Sequence, residues 1–384
     1  MIKRGIATFT LDTGECPRWL FERMVKLGGQ ILEIIVQEYG PDEFVARISD
    51  PVWFQSLGTV VAFDWNASGL TTVLTAALKE TMKGREKQLG LFICGGKGKT
   101  SLKTPDEIVQ WGERIALPEK CVSDLVYSSR ITAKVDSSLV QDGYQIYHHA
   151  FFFSRNGAWG VIQQGMNQTN STARRYHWFS SKINDFVCEP HSGIISQLIV
   201  PCLNLTAKES DKTRNISTEL VQTGFSGLMK DIQILRKHSS RTTKMVAVKY
   251  GERQMVFSEF KNTEFYYHPV VEEDFSKSRY LEKILAKLCD YKPENYEKLI
   301  AVEGVGPKTV RALSLVSELI YNAPPSYIDP ARYSFAHGGK DGTPYPVDRG
   351  TYDKTIDFFR KVINKMKLSL SEKKTMLKKL QQSH

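Results

Sequence analysis

Residues 144–164 restrict the fold more than any other stretch of this chain. Tyr144–Phe153 reads as a strand, Arg155-Asn156-Gly157 as a tight turn, and Trp159–Gln163 as the returning strand. A β-hairpin in mid-chain demands an antiparallel sheet. The flanking sequence supplies further strands and helices. Gly5–Leu11 alternates and is β-branched before the turn Asp12-Thr13-Gly14. Pro17 suits a first helical turn, and Trp19, Leu20, Met24 and Leu27 follow at helical spacing. Asn66–Gly69 feeds a second helix over Leu70–Lys83, with Gly84 past its end, and Leu89–Cys94 reads as a buried strand. The mixture predicts an α+β domain rather than a regular βαβ winding.

The character changes beyond about residue 270. Phe275–Leu288 is amphipathic, Pro293–Ala301 leads to a glycine turn, Val310–Tyr321 is helical, and Asp348–Met366 is helical again. The chain is therefore expected to divide into a mixed α+β domain over 1–268 and an all-helical domain over 269–384. Its 384 residues carry a net charge of +10. Residues 354–384 hold eight lysines and Arg360 against only Asp357 and Glu372, so the basicity concentrates at the C-terminus and a polyanionic partner is expected there. No run approaches the ~18 apolar residues of a membrane span. The six cysteines lack zinc-ligand spacing, which suggests reduced thiols. No signal-like segment opens the chain, and a cytoplasmic location is the expectation.

Leu299–Leu313 carries the functional signal. Leu299, Val310 and Leu313 pack two short helices, Ala312 permits close approach, and Gly304-Val305-Gly306 must turn tightly between them. Amides at the start of the second helix can then hold a phosphate oxygen, with Lys308 and Arg311 adding charge. The stretch resembles a helix-hairpin-helix motif, which implies sequence-independent contact with DNA, or with RNA, through Gly304, Val305, Gly306, Lys308, Thr309 and Arg311. Gly304–Thr309 together with Pro346-Val347-Asp348 is also similar to the endonuclease III glycosylase superfamily. That resemblance implies Lys308 as a Schiff-base nucleophile and Asp348 as the carboxylate that stabilises the sugar cation, with no cofactor. In the segment between them, Tyr333 or Phe335 is a candidate for stacking on a nucleotide, and His337 and Lys340 for contact with phosphate.

The larger domain offers other candidates. Arg174, Arg175, Tyr176 and His177, followed by Trp178, place guanidinium, aromatic and imidazole groups together as a nucleic-acid-binding cleft. Asp64 and Asp142 are possible metal ligands. A divalent-metal nuclease centred on Asp142, His148 and residues 163–175 is the alternative enzyme, and a non-catalytic adaptor is the third reading. Gly95–Ser101 is lysine- and glycine-rich, but Ile93 stands where a nucleotide-triphosphate loop requires glycine.

Arg4–Ala7, Asp50–Gln55, Gln163–Asn167, Ala173–Trp178 and Phe335–Gly342 together are similar to an archaeal and thermophilic-bacterial family, domain-of-unknown-function family seven hundred and sixty-three. The likeness spans nearly the full chain apart from roughly its last fifteen residues and implies a prokaryotic protein.

Overall fold

The fold is described from a computed structural model over residues 15–62, 67–238, 247–250, 253–256, 278–331 and 349–382. Four helices come first: α1 (Arg18–Tyr39), α2 (Pro41–Ile48), α3 (Pro51–Ala62) and α4 (Ala67–Met82). In α1 the buried stripe is Leu20, Met24, Leu27, Ile31 and Ile35, the three-to-four spacing that puts one helix face against a core. A single turn, α5 (Glu86–Leu89), closes on Gly90 in the left-handed region (φ 64°) and releases β1 (Leu91–Lys97). Next come α6 (Thr104–Arg114), α7 (Glu119–Ser138), β2 (Val140–Gln141) and the expected hairpin of β3 (Gln145–Ser154) and β4 (Trp159–Asn167). β5 (Thr172–Phe179), β6 (Gly193–Ser196) and β7 (Leu203–Asn204) follow. Helices α8 (Asp211–Gln222) and α9 (Phe225–His238) precede the small ribbon β8 (Ala247–Tyr250) and β9 (Arg253–Val256). The remainder is helical: α10 (Arg279–Tyr291), α11 (Tyr296–Ala301), α12 (Pro307–Leu319), α13 (Arg349–Lys365) and α14 (Leu370–Gln382). Among the described residues no helix is long and apolar enough to cross a membrane.

The centre of the molecule is an antiparallel sheet in the order β1-β3-β4-β5-β6, covered on both faces. Strand side chains alternate between faces, and the phenylalanines of β3 show it. Phe152 joins a core with α1–α4, whereas Phe151 and Phe153 join another with α6–α12. Each fully buried phenylalanine contributes about 1.5–3 kcal/mol relative to exposure.

The C-terminal helices are not one unit. Helices α10–α12 bury Leu281, Leu285, Leu299, Val310 and Leu313 in the second core, with Val135 of α7 and Leu220 of α8. Helices α13 and α14 lie on the opposite face. There Phe359 stacks on Trp53 at 5.3 Å, the Arg47 guanidinium sits 3.5 Å from the Phe358 ring centre, and Lys365 pairs with Glu38. The helical domain expected over 269–384 is thus divided between two cores that share the central sheet. The cause is the apolar stripe Phe358, Phe359, Val362, Ile363 and Met366, which completes the bundle of α1–α3. The expected strand Gly5–Leu11 and the boundary at His268-Pro269 lie outside the described residues.

Candidate nucleic-acid interface and a polar cavity

The hairpin between α11 and α12 forms where the sequence places it. Leu299, Val310 and Leu313 are fully buried and Ala312 nearly so, as the pairing of two close helices requires. The two turn glycines have different reasons to be there. Gly304 adopts φ 93°, and a Cβ on it would stand 2.5 Å from Cδ1 of Ile284, so the fold itself requires glycine. Gly306 has φ −149°, open to any residue, and a Cβ there would meet nothing within 4 Å. The expectation that both glycines supply obstructed backbone angles therefore holds for Gly304 only.

The carbonyls of the turn are drawn towards the protein. Lys134 of α7 donates to the carbonyls of Val302 (3.2 Å) and Val305, Lys287 of α10 to Glu303 (3.0 Å), Tyr280 to Gly304 (3.2 Å) and Gln141 to Pro307 (3.1 Å). Burial pulls the Lys134 ammonium below its ordinary pKa, opposed by Glu303. In a planar trans peptide each C=O points opposite to the following N–H. Inward carbonyls at 303, 305 and 307 therefore turn the amides of Gly304, Gly306 and Lys308 away from those donors. The Val305 amide closes back on Val302 at 3.2 Å, and the Val305 side chain is buried beneath the turn. No side chain caps the start of α12, where the helix dipole favours an anion. Lys308 is exposed there. Thr309 and Arg311, expected beside it, are buried at 2% and 9% exposure; the Arg311 side chain faces the core, so it does not add charge at the surface of the turn. Asp348, the carboxylate paired with Lys308 in the sequence reading, and Lys340 lie outside the described residues, as do Tyr333, Phe335, His337 and Asp64.

The second sequence cluster is dismantled by strand alternation. Arg174, Arg175, Tyr176 and His177 are all 0% exposed on β5, and Trp178 is equally buried, so none forms a nucleic-acid-binding surface. Arg174 and Tyr176 face α7. Arg174 donates to Asp142 (2.8 Å) and to both oxygens of Asp329 (3.1 and 2.7 Å), and Tyr176 donates to Asp142 (2.7 Å). Asp329 also accepts the amides of Val200 (2.9 Å) and Ala331 (2.8 Å), which pins the segment after α12 to the sheet. Arg175 and His177 face α3 and α4 instead. Arg175 donates to His177 Nε2 (2.9 Å), Thr71 (3.3 Å) and Gln55 (3.1 Å), and burial lowers its pKa to about 9. Burial and the Arg175 charge hold His177 neutral.

The same alternation breaks the nuclease centre. His148 and Gln164 share a face with Arg175, whereas His149 and Gln163 share one with Tyr176. On that second face Asp136 accepts Gln163 and Trp178 and meets His191. Asp142 is closed off by its three partners. Among the described residues no group of His, Cys, Asp or Glu is arranged to hold a metal ion. All six cysteines are unbridged, with Cys94, Cys202 and Cys289 buried.

Sequence reasoning missed a cavity of about 890 Å³ between α4, the end of β1 and the start of β3. Ser68, Thr72, Thr75 and Lys79 line it from α4, and Lys97, Tyr147 and His148 from the strands. The signal that would have found it is the hydroxyl-rich face Ser68, Thr71, Thr72 and Thr75 at helical spacing.

These features define a protein with a central antiparallel sheet between two helical layers, an outward amide turn on one layer and a polar cavity on the other. Residues 5–347 match the family described as Protein of unknown function (DUF763), and the chain belongs to that family. No curated protein and no solved structure matches it.

Proposed function

We propose that this protein binds nucleic acid, DNA in the first place, by its sugar-phosphate backbone through the turn 303–308. The observation that carries the reading is the inward set of turn carbonyls, which leaves the amides of Gly304, Gly306 and Lys308 facing away from the protein at an uncapped helix start. Gly306 supports it. The fold does not need glycine there, while close approach of a phosphate oxygen does. Contacts of this kind grip the backbone without reading bases.

Fluorescence-anisotropy titration of labelled duplex and single strands across a salt series tests it. Each phosphate neutralised contributes about −0.9 to the slope of log K against log salt on duplex DNA. Lys308→Ala should flatten that slope by about that amount and weaken binding similarly for unrelated sequences. An unchanged slope refutes the hairpin as the contact.

A lyase activity is the second reading, supported by the exposed Lys308 side chain at the first turn of α12. Its amine would attack the anomeric carbon of an abasic sugar gripped by the turn.

A further inference from the structure

The cavity beside α4 is polar where a protein core is ordinarily apolar. Its deepest polar wall is His148, 1% exposed, cross-strand partner of Lys97 on β1. The imidazole Nε2 lies 3.1 Å from Thr75 Oγ1. That hydroxyl has one proton, and it is given to the helix carbonyl of Thr71 at 2.9 Å. Thr75 therefore accepts from His148, which places the ring proton on Nε2 and leaves Nδ1 a bare acceptor. Nδ1 is buried and has no hydrogen-bond partner among the described residues. A buried acceptor left unmet costs about 1–3 kcal/mol, so a ligand that supplies an N–H or O–H recovers that cost. Burial holds the His148 pKa down at about 3, so the ring stays an acceptor at neutral pH.

The other end of the cavity is cationic. Lys79 is committed to Glu107 (2.6 Å) and to the Gly95 carbonyl (3.0 Å), and Lys83 sits 3.4 Å from Glu80. Lys97 is exposed and makes no ion pair among the described residues. It lies on the same face of the sheet as His148, in direct register with it. Gly95 (φ 83°) is fixed there because a Cβ would stand 2.2 Å from the His149 carbonyl. Between the two ends Phe21, Val73, Ile93 and Ala150 give apolar wall. A cavity of this size suits a ligand with a flat apolar body, a hydrogen-bond donor on one edge and an anionic group on the other.

We propose that this cavity binds a nucleoside monophosphate unit, its base giving an exocyclic or ring N–H to His148 Nδ1 and its phosphate reaching Lys97. The unit is either a free nucleotide or the 5′-phosphorylated end of a strand. The proposal stands apart from the hairpin reading, because the cavity lies on the opposite layer from α11 and α12.

Isothermal titration of the full chain with AMP, GMP, CMP, UMP and inorganic phosphate tests it, with a 5′-phosphorylated oligonucleotide and its unphosphorylated counterpart as the second arm. Lys97→Ala removes an exposed side chain and should weaken binding about tenfold or more, the worth of one charge-assisted contact. Ala76→Trp, at an exposed position on the cavity wall, should abolish it by filling the space. Binding of free mononucleotides assigns the free ligand. Binding of the phosphorylated strand alone, lost in Ala76→Trp, assigns the strand end. Absence of both, or binding indifferent to Lys97→Ala and Ala76→Trp, overturns the proposal. Lys308→Ala should leave mononucleotide binding unchanged, which separates a failure here from a failure of the hairpin reading.

Discussion

Replacing each turn glycine by alanine separates what the fold needs from what a ligand needs. At Gly304 the substitution forces a φ of 93° on a residue with a side chain, costing about 1–2 kcal/mol. It also places Cβ 2.5 Å from the end of Ile284, which is itself buried beside Leu281 and Leu288, and overpacking there costs about 1–3 kcal/mol more. Gly304→Ala should therefore destabilise by about 2–5 kcal/mol. At Gly306, φ −149° suits alanine and the new methyl meets nothing, so the reduced freedom of the unfolded chain should stabilise by about 0.4–1 kcal/mol. Urea unfolding followed by fluorescence, with amide exchange across α10–α12, measures both. Binding should run the other way. The Gly306→Ala methyl stands in the open space in front of the amide and should lower affinity for a DNA duplex about tenfold, as loss of one hydrogen bond to a charged group does. If Gly306→Ala unfolds as readily as Gly304→Ala, or binds duplex as tightly as the parent chain, the reasoning fails.

Further outcomes follow from the same contacts. Asp329→Ala leaves Arg174 with Asp142 alone and frees the amides of Val200 and Ala331, and should cost about 3–5 kcal/mol in the urea midpoint while leaving the sheet intact by circular dichroism. His148 and His149 are held near pKa values of about 3 and 4 by burial, well below the unfolded value of 6.5. The unfolded chain therefore binds the extra protons, and the stability these rings contribute is present above pH 6.5 and lost as pH falls towards 4, by up to about 1.4 kcal/mol per unit per ring. His149→Gln should flatten the urea midpoint against pH in that window. Borohydride trapping on abasic duplex should give a cross-link that disappears in Lys308→Ala; a cross-link that persists ends the lyase reading.

Much of the architecture was legible because it rests on local periodicity. The β3–β4 hairpin, the helix after Gly69, the helix ended by Gly84 (φ 79°) and the helices flanking Gly304 all stand within a few residues of their sequence limits. Tertiary placement was not legible. The stripe on α13 states that it buries one face, but not that α1–α3 are the surface it completes. The buried arginines misled for a related reason. A single sequence shows Arg174-Arg175-Tyr176-His177 as clustered polarity, and polar groups are ordinarily at the surface. Yet on a strand adjacent residues point oppositely, so that pairing already implied that Arg174 and Arg175 could not share a cleft.

The two faces of the sheet put that polarity to different uses. Arg174 meets two carboxylates whose remaining lone pairs are taken by Tyr176 and by backbone amides, a closed arrangement that anchors residues 326–331 beneath the hairpin. Opening it would cost several kcal/mol and gain no contact, so it belongs to stability. On the opposite face the polar row runs from His177 through Arg175 and Gln164 to His148, and it ends in solvent-filled space rather than in a partner. Gln164 donates to the Ser68 carbonyl at 2.9 Å and to the Tyr147 hydroxyl, so a ligand touching Tyr147 or Ser68 is felt two residues deeper. A row of this kind is costly in a core unless its open end is met. Occupation of the cavity should therefore stiffen α4 and β3 together, visible as slower amide exchange at Thr75 and His148 when mononucleotide is added, and no such slowing should occur in Ala76→Trp. Slowing confined to the rim around Lys97 would place the ligand outside the cavity and leave the row without a use.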